Sequence, residues 1–269
     1  MSKKKYLWYT DAHFDSVDIL NKIKFLFRLR SEKPSGIFLT GDIANGPFTK
    51  FYLKILAKTV DCPIYFVLGN HDYWFSSFEE THNSIKRLCK EYPNLIWLNN
   101  SDIIPLKPKV ALIGTDGWYD GNVGNPDYLK YTIDWLLIKE LRNQPSANAR
   151  LAKFKKIAYE SSIDIEHKIQ KAIDLGYKTI YILTHYPPWK EATRDSGTFL
   201  EEFWLPYNVN YILGKTIENI MHNKKKIYVK ILAGHIHVDK WIHVKRNIEC
   251  KINESKYFGS LRNEEVIYI

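Results

Sequence analysis

The sequence predicts an α/β fold, and three observations carry that reading. Between residues 6 and 91, short apolar runs with the β-branched and aromatic character of strands alternate with helical stretches. The first three runs each stop at a polar corner, Asp11-Ala12-His13, Thr40-Gly41-Asp42 and Leu68-Gly69-Asn70-His71-Asp72. Strand character then returns late in the chain, where two more runs end in histidine. Alternation of this kind calls for parallel strands joined by crossover helices, and it gathers ligands beyond the carboxyl ends of the strands.

Tyr6 to Thr10 reads as the first strand, and Asp11 and His13 follow it one residue apart. In extended chain that spacing sends both side chains to one face. Asp15 or Ser16 caps a helix reaching about Arg30, with Val17, Leu20, Ile23 and Phe27 along one stripe. The Pro34-Ser35-Gly36 turn leads into the strand Ile37-Phe38-Leu39, a helix covers about Thr49 to Val60, and Pro63 opens the strand Ile64 to Val67. A helix from Ser77 to Glu91 precedes short strands at Leu95 to Leu98 and Val110 to Gly114, which alternate less with helices and point to a second sheet.

From Tyr119 the pattern changes. Gly121, Gly124, Asn125 and Pro126 mark a loop, and Asp127 to Arg142 and Ala149 to Leu175 read as helical segments broken around Gln144-Pro145. Residues 119–175 have too little apolar pattern for a core of their own, so they are expected to be a helical insertion within a single domain covering residues 1–269. Thr179 to Leu183 and Tyr228 to Ala233 read as strands, ending in His185 and in Gly234-His235-Ile236-His237, with a helix near Tyr211 to Asn223 between them. The tail, with strand patterns at Trp241 to Val244, Ile248 to Ile252 and Val266 to Ile269, reads as antiparallel strands completing a sheet.

Composition excludes several classes. A 45% hydrophobic, 14% aromatic chain without a low-complexity tract is globular rather than disordered or fibrous. No apolar run approaches the roughly 18 to 20 residues that span a bilayer. The basic start, Lys3 to Lys5, is followed by an apolar run cut short by Asp11, too short for a signal core, so a cytoplasmic protein is expected. Cys62, Cys89 and Cys250 are odd in number and lack CxxC spacing, which argues against a disulfide framework and a thiolate metal site. The formal charge of +9 favours an anionic substrate or partner. Its lysine clusters are scattered, as on solvated helix and loop surfaces, rather than massed into a nucleic-acid footprint.

The chemistry lies at the strand ends. Buried amide, imidazole and carboxylate groups cost free energy unless each finds a partner, and a metal ion is one such partner. Five of the nine histidines, His13, His71, His185, His235 and His237, stand there with Asp11, Asp42, Asn70 and Asp72. Imidazole, carboxylate and amide oxygen without thiolate suit Mn, Fe, Zn or Ni. Two such ions about 3.5 to 4 Å apart would polarise a phosphoryl group and generate hydroxide at neutral pH.

Taken in order, Asp11-Ala12-His13, Gly41-Asp42, Gly69-Asn70-His71-Asp72, His185 and Gly234-His235-Ile236-His237 resemble the motifs of the calcineurin-like metallophosphoesterase superfamily. Each piece alone is weak, since Asn, Asp and Gly also make ordinary turns; five in sequence, all at strand ends, are specific. The resemblance implies a four-layer α/β/β/α sandwich, two mixed β-sheets flanked by helices. It also implies two divalent or trivalent transition-metal ions, Mn or Fe first, with Zn or Ni as alternatives. Asp11, His13 and His237 would hold one ion and Asn70, His185 and His235 the other, with Asp42 bridging them. In the family mechanism a metal-bridging hydroxide attacks phosphorus in line. His71 protonates the leaving oxygen or stabilises its charge, and Asp72 would orient His71.

Two departures bear on the substrate. Protein phosphatases of this superfamily carry a phosphate-clamping arginine after the second motif, where Gly41-Asp42-Ile43-Ala44-Asn45-Gly46 has glycine, and they usually carry Glu in place of Asp72. The sequence is closer to the phosphodiesterase-like branch, which implies a small phosphate-ester substrate, diester or monoester, with a nucleotide among the candidates. Aromatics after the motif loops, Tyr73-Trp74-Phe75, Trp118-Tyr119, Tyr186 with Trp189 and Trp204 with Tyr207, would either stack a nucleobase or pin loops to the core; packing is the favoured reading. Lys190 and Arg194 are candidate phosphate contacts. A nuclease acting on DNA or RNA is the second enzyme reading, weakened because residues 238–269 are too few for a DNA-capping domain. A non-catalytic scaffold binding proteins is the third, and a scaffold would be expected to have lost metal ligands that this chain retains.

Overall fold

The computed structural model describes residues 3–193, 199–255 and 265–269. In chain order the elements are β1 (Lys5–Tyr9), α1 (Ile19–Glu32), β2 (Gly36–Thr40), α2 (Pro47–Thr59), β3 (Ile64–Val67), α3 (Phe78–Glu91), β4 (Leu95–Trp97), β5 (Ile104–Lys107) and β6 (Val110–Gly114). They continue with α4 (Asp134–Leu137), α5 (Lys139–Arg142), α6 (Ala147–Asp174), β7 (Thr179–Leu183), α7 (Phe199–Asn208), α8 (Tyr211–Met221), β8 (Tyr228–Ala233), β9 (Lys240–Lys245), β10 (Ile248–Ile252) and β11 (Glu265–Tyr268).

Two mixed sheets result. The first has the order β11-β1-β2-β3-β4 and the second β5-β6-β7-β8-β10-β9. Strands β1 to β4 run parallel, with Leu7 opposite Ile37 and Leu39 opposite Phe66, and β11 closes the sheet antiparallel to β1. In the second sheet β6, β7, β8 and β10 are parallel, and β5 and β9 add antiparallel edges. The tail strands are therefore divided between the sheets, and β10 lies parallel to β8, against the expectation of one antiparallel completion. Strand β4 also joins the first sheet, so the second begins only at β5.

Period-2 alternation builds the layers. Tyr6, Trp8, Phe38 and Val67 of the first sheet meet Leu112, Tyr181, Leu183 and Leu232 of the second in one buried cluster between the sheets. The intervening residues point outward: Leu7, Ile37 and Phe66 pack with Phe25, Leu29, Leu53 and Ile85 of α1 to α3. On the other side Ala111, Ile182 and Ile231 pack with Ile165 and Ile169 of α6 and Leu213 and Ile217 of α8. This is the expected four-layer sandwich. The long α6 starts elsewhere, since Phe154 and Ala158 belong to the cluster around Trp118 and Tyr119.

Three helical expectations are corrected. Helix α1 is capped by Asp18, whose Oδ1 accepts from Asn21 N at 3.0 Å, while Phe14–Ser16 form a separate 3-10 turn. Its buried face is Phe25 and Leu29; the stripe of Leu20, Ile23 and Phe27 faces solvent. The segment 127–142 is a 3-10 turn followed by the two short helices α4 and α5 rather than one helix, and α7 lies where no helix was expected. Among the described residues no helix is long and apolar enough to cross a membrane.

The two faces of α1 predict opposite responses. Leu29→Ala should cost about 2 to 5 kcal/mol through lost burial and the cavity left behind, whereas Leu20→Ala should change stability by no more than about 0.5 kcal/mol. Equilibrium urea unfolding of both variants measures the contrast, and similar losses would show that the outward face is packed.

Candidate metal centre

Five strand ends build the site. Asp11 and His13 follow β1, Asp42 follows β2, Asn70 to Asp72 follow β3, His185 follows β7, and His235 and His237 follow β8. Asp11, His13, Asp42, His235 and His237 all have positive φ, between 39° and 74°. For residues with a Cβ that conformation is strained and is held only where the surroundings over-determine it. Glycine makes the approach between strand ends feasible: a Cβ at Gly69 would collide with the Asp42 carboxylate and the His185 ring, and one at Gly234 with the Thr10 hydroxyl and the Asp11 carboxylate.

The side chains converge as two donor sets. Around His185 Nε2 lie Asn70 Oδ1 at 3.3 Å, Asp42 Oδ1 at 3.4 Å and His235 Nδ1 at 3.3 Å. The other nitrogen of His185, Nδ1, lies 2.8 Å from the Thr40 carbonyl, which only accepts, so that nitrogen carries the proton. A neutral His185 then turns a lone pair toward an amide oxygen and a carboxylate oxygen. Two donor atoms each bound about 2.1 Å from one ion stand about 3.0 to 3.4 Å apart, so the spacing fits a cation. The second ring nitrogen of His235, Nε2, is buried without a hydrogen-bond partner, which adds to the cost of leaving the cluster without an ion.

In the other set the ligand atoms of Asp11, His13 and His237 lie within 4.8 Å of one another, with His237 Nε2 3.2 Å from Asp11 Oδ1. Asp42 serves both sets, its Oδ1 facing His185 and its Oδ2 lying 3.8 Å from His13 Nε2 and from His71 Nε2. The His71 and His237 side chains retain 14% and 11% exposure where Asp42 retains 2%, so the cluster opens on their side.

The electrostatics agree with a cation-binding cluster. Burial lowers His13 to about 4, with Asp42 opposing, and burial with the neighbouring His185 lowers His235 to about 3, so both rings are neutral bases near pH 7. Burial acts to raise Asp11, but the charge and hydrogen bond of His237 outweigh it and hold the carboxyl at about 2. His185 runs the other way: burial opposes its charge, yet the Asp42 carboxylate raises it to about 9. The field that would hold a proton there is the field that would hold a metal ion.

The structure brings together every strand-end residue that the sequence singles out, with one change of partner. Asp72 turns away from His71. Its buried carboxylate accepts from Ile43 N, Ala44 N, Thr49 Oγ1 and Gly69 N, at 2.7 to 3.2 Å, and so ties the Asp42 loop to the Asn70 corner. Burial, and then the charge of Asp42, push it up to about 7 against those four donors. The group against His71 Nδ1 is Asn45 Oδ1, at 2.7 Å.

Sequence reasoning missed Asn45, and it missed Asp134 at the start of α4. Fully buried, Asp134 accepts from Trp74 Nε1 at 2.7 Å, Asn70 Nδ2 at 3.1 Å and the Tyr119 hydroxyl at 3.2 Å. Asn70 Nδ2 also donates to the Tyr207 hydroxyl at 2.9 Å, which leaves Oδ1 aimed at the cluster. The Trp74 ring in turn packs on His71 with centroids 3.5 Å apart. Asn45 lies in the Gly41 to Gly46 stretch and had a local signal there, whereas Asp134 has neither a motif nor a preceding strand. Of the aromatics after the motif loops, Tyr73, Trp118, Tyr119, Tyr186 and Trp189 are buried and pin loops to the core, while Phe75 is exposed. Lys190 is exposed, and Arg194 lies outside the described residues.

Two mixed sheets flanked by helices, with His, Asp and Asn donors at their shared edge, define a metallophosphoesterase. The chain belongs to the calcineurin-like phosphoesterase family, which it matches over residues 4–239. It is 29% identical over 192 residues to the uncharacterized protein L509 of Acanthamoeba polyphaga mimivirus, a match covering 66% of either chain. Its fold is similar to that of the phosphopantetheinyl hydrolase PptH from Mycobacterium tuberculosis, with a TM-score of 0.69 at 14% identity, covering 99% of this chain and 96% of that one. A dimetal phosphatase from Danio rerio gives a TM-score of 0.63 at 14% identity, covering 99% and 92%.

Removing Asp134 should loosen Asn70 and Trp74 together. Asp134→Ala is expected to weaken metal binding about 10- to 100-fold, as loss of an outer hydrogen-bond partner typically does. Chelator competition measures it, and unchanged affinity would remove the positioning role. Asp116, which accepts from Leu68 N, Tyr73 and Trp97, gives a pH test. Burial raises it from 3.8 to about 6, so across that window the native state keeps a proton that the unfolded chain releases. Its contribution to stability therefore falls as pH rises from about 4 to about 6, and the stability difference between wild type and Asp116→Asn in urea should fall with it.

Proposed function

We propose that this chain is a two-metal phosphoesterase hydrolysing a small phosphodiester or phosphomonoester. The observation that carries the reading is Asp42, one buried carboxylate with an oxygen toward each donor set. Asp11, His13 and His237 would hold one ion, Asn70, His185 and His235 the other, with Mn or Fe the metals expected first. Bound there, the ions would polarise a phosphoryl oxygen and supply hydroxide at neutral pH.

The chain's own groups do the rest. With Nδ1 held by Asn45 and the ring packed by Trp74, His71 presents Nε2 3.8 Å from Asp42 Oδ2 on the open side of the cluster. With Nδ1–H given to the Asn45 amide oxygen, the ring in its imidazolium form would pass its Nε2 proton to the leaving oxygen of the ester or stabilise the charge there. Asp72 keeps the Asp42 and Asn70 loops in register, so its part is positional rather than chemical. A diester and a monoester place the same phosphoryl group on this frame and differ in what lies beyond it, which is why aryl esters of both kinds serve as probes.

Metal-stripped protein reloaded with Mn, Fe, Zn or Ni is assayed on bis-p-nitrophenyl phosphate and p-nitrophenyl phosphate. Turnover should depend on metal and fail in Asn70→Ala. His71→Ala should lower kcat by about 10²- to 10⁴-fold on esters with poor leaving groups, the usual contribution of a general acid, and by less on nitrophenyl esters, whose leaving group needs less protonation. Failure to bind two ions would overturn the reading.

A further inference from the structure

Six large apolar side chains of α1, of α2 and of the loop after Trp74 stand out into solvent: Ile19, Leu20, Phe27, Phe48, Phe51 and Phe75, each at least 55% exposed. Scattered singly such groups need no account, but these stand on two helices packed side by side, Ile19, Leu20 and Phe27 on α1 and Phe48 and Phe51 on α2, with Phe75 at the N-terminus of the second. Lys22 Nζ reaches the Tyr52 hydroxyl at 2.9 Å and ties α1 to α2, and the Phe51 ring packs edge-on against Tyr52. Phe75 lies against Gly46 at the N-cap of α2, where a Cβ would sit 3.7 Å from its ring. Phe48 comes three residues after Asn45, and Phe75 directly after Trp74, the two residues against His71. Phe48 and Phe75 are therefore close along the chain to the groups that hold His71.

The same two helices are basic, although Lys54 is paired with Glu91 of α3. Residues 18–59 contain eight bases, Lys22, Lys24, Arg28, Arg30, Lys33, Lys50, Lys54 and Lys58, against three acids. Of the acids, Asp18 caps α1, Glu32 pairs with Lys5, and Asp42 is buried in the cluster. An apolar stripe on a helix, set among cations, is the pattern of segments that lie in a membrane interface, where apolar insertion and attraction to anionic headgroups add.

We infer that this face docks on an anionic lipid surface, with the phenyl and aliphatic groups entering the acyl boundary and Lys24 and Lys50 meeting headgroup phosphates. Two features favour a bilayer over a protein. The six groups are Phe, Leu and Ile, side chains that enter an acyl boundary without leaving a polar group unpaired. The surplus of positive charge also sets this face against a second copy of itself, because a two-fold interface brings like patches together. The docking does not rest on the phosphoesterase reading.

The full chain is sedimented with phosphatidylcholine vesicles, and with vesicles in which about a third of the lipid is phosphatidylglycerol. Wild type should pellet with the anionic vesicles only, and less so as salt rises toward about 0.5 M. Leu20→Glu with Phe27→Glu should lower the partition coefficient at least about tenfold, with the unfolding midpoint and any hydrolysis of soluble aryl phosphates unchanged. Asn70→Ala should pellet like wild type, so loss of the hydrolytic reading leaves this one standing. Failure of wild type to pellet, equal pelleting of the double variant, or a dimer in light scattering that the double variant abolishes would overturn the inference.

Discussion

A carboxylate without water around it must find partners within the protein, and Asp42 is placed so that imidazoles flank it on two sides. It sits 2% exposed at the end of β2 in a left-handed conformation, with His185 beside one oxygen and His13 and His71 near the other. The rest of the edge is arranged around that demand. Gly69 lacks a side chain because the Asp42 carboxylate and the His185 ring occupy its space, and Asp72 anchors the loop that follows Asp42 through Ile43 N and Ala44 N.

Residues 119–175 belong to this arrangement rather than standing outside it. Asp134 reaches back to Asn70 and to Trp74, and Tyr119, at the start of that stretch, donates to the same carboxylate. Burial raises Asp134 above the usual carboxylate range, while three donors favour its charge. Groups of this kind cost free energy when buried and are retained where they fix an orientation. Here the orientation is that of an amide whose nitrogen is fully engaged, so its oxygen has one way to face.

How much of this was legible in the sequence follows from how local each signal is. A short apolar run ending in glycine, acid or histidine carries its structure and its chemistry within a few residues, so the strand ends and the polar groups on them could be read directly, while the choice of seven candidate ligands among them came from the family resemblance. The direction in which α1 faces could not: its apolar residues fall on two faces, Phe25 with Leu29 and Leu20 with Phe27, and periodicity does not tell which one meets the sheet. The partners of His71 and Asn70 were hidden for a different reason. Asp72 is next to His71 in sequence, but the turn at Asn70 sends its carboxylate toward Thr49 and leaves Asn45 to meet the ring. Asp134 lies 64 residues from Asn70, and pairing over that distance leaves no local pattern.

Each donor set takes groups from both sheets: Asp11 and His13 come from the first and His237 from the second, while Asn70 comes from the first and His185 and His235 from the second. The bond from His185 Nδ1 to the Thr40 carbonyl crosses the same seam. The site is thus a gauge of how the two sheets lie on each other. Trp8, Phe38, Leu112 and Tyr181, which touch no candidate ligand set by themselves, hold that separation from within the sandwich. Close-packed interiors transmit displacement rather than absorbing it. The geometry of the edge is therefore tied to the thickness of the layer between the sheets, and drift in core side-chain volume would reach the donor atoms before it reached the fold.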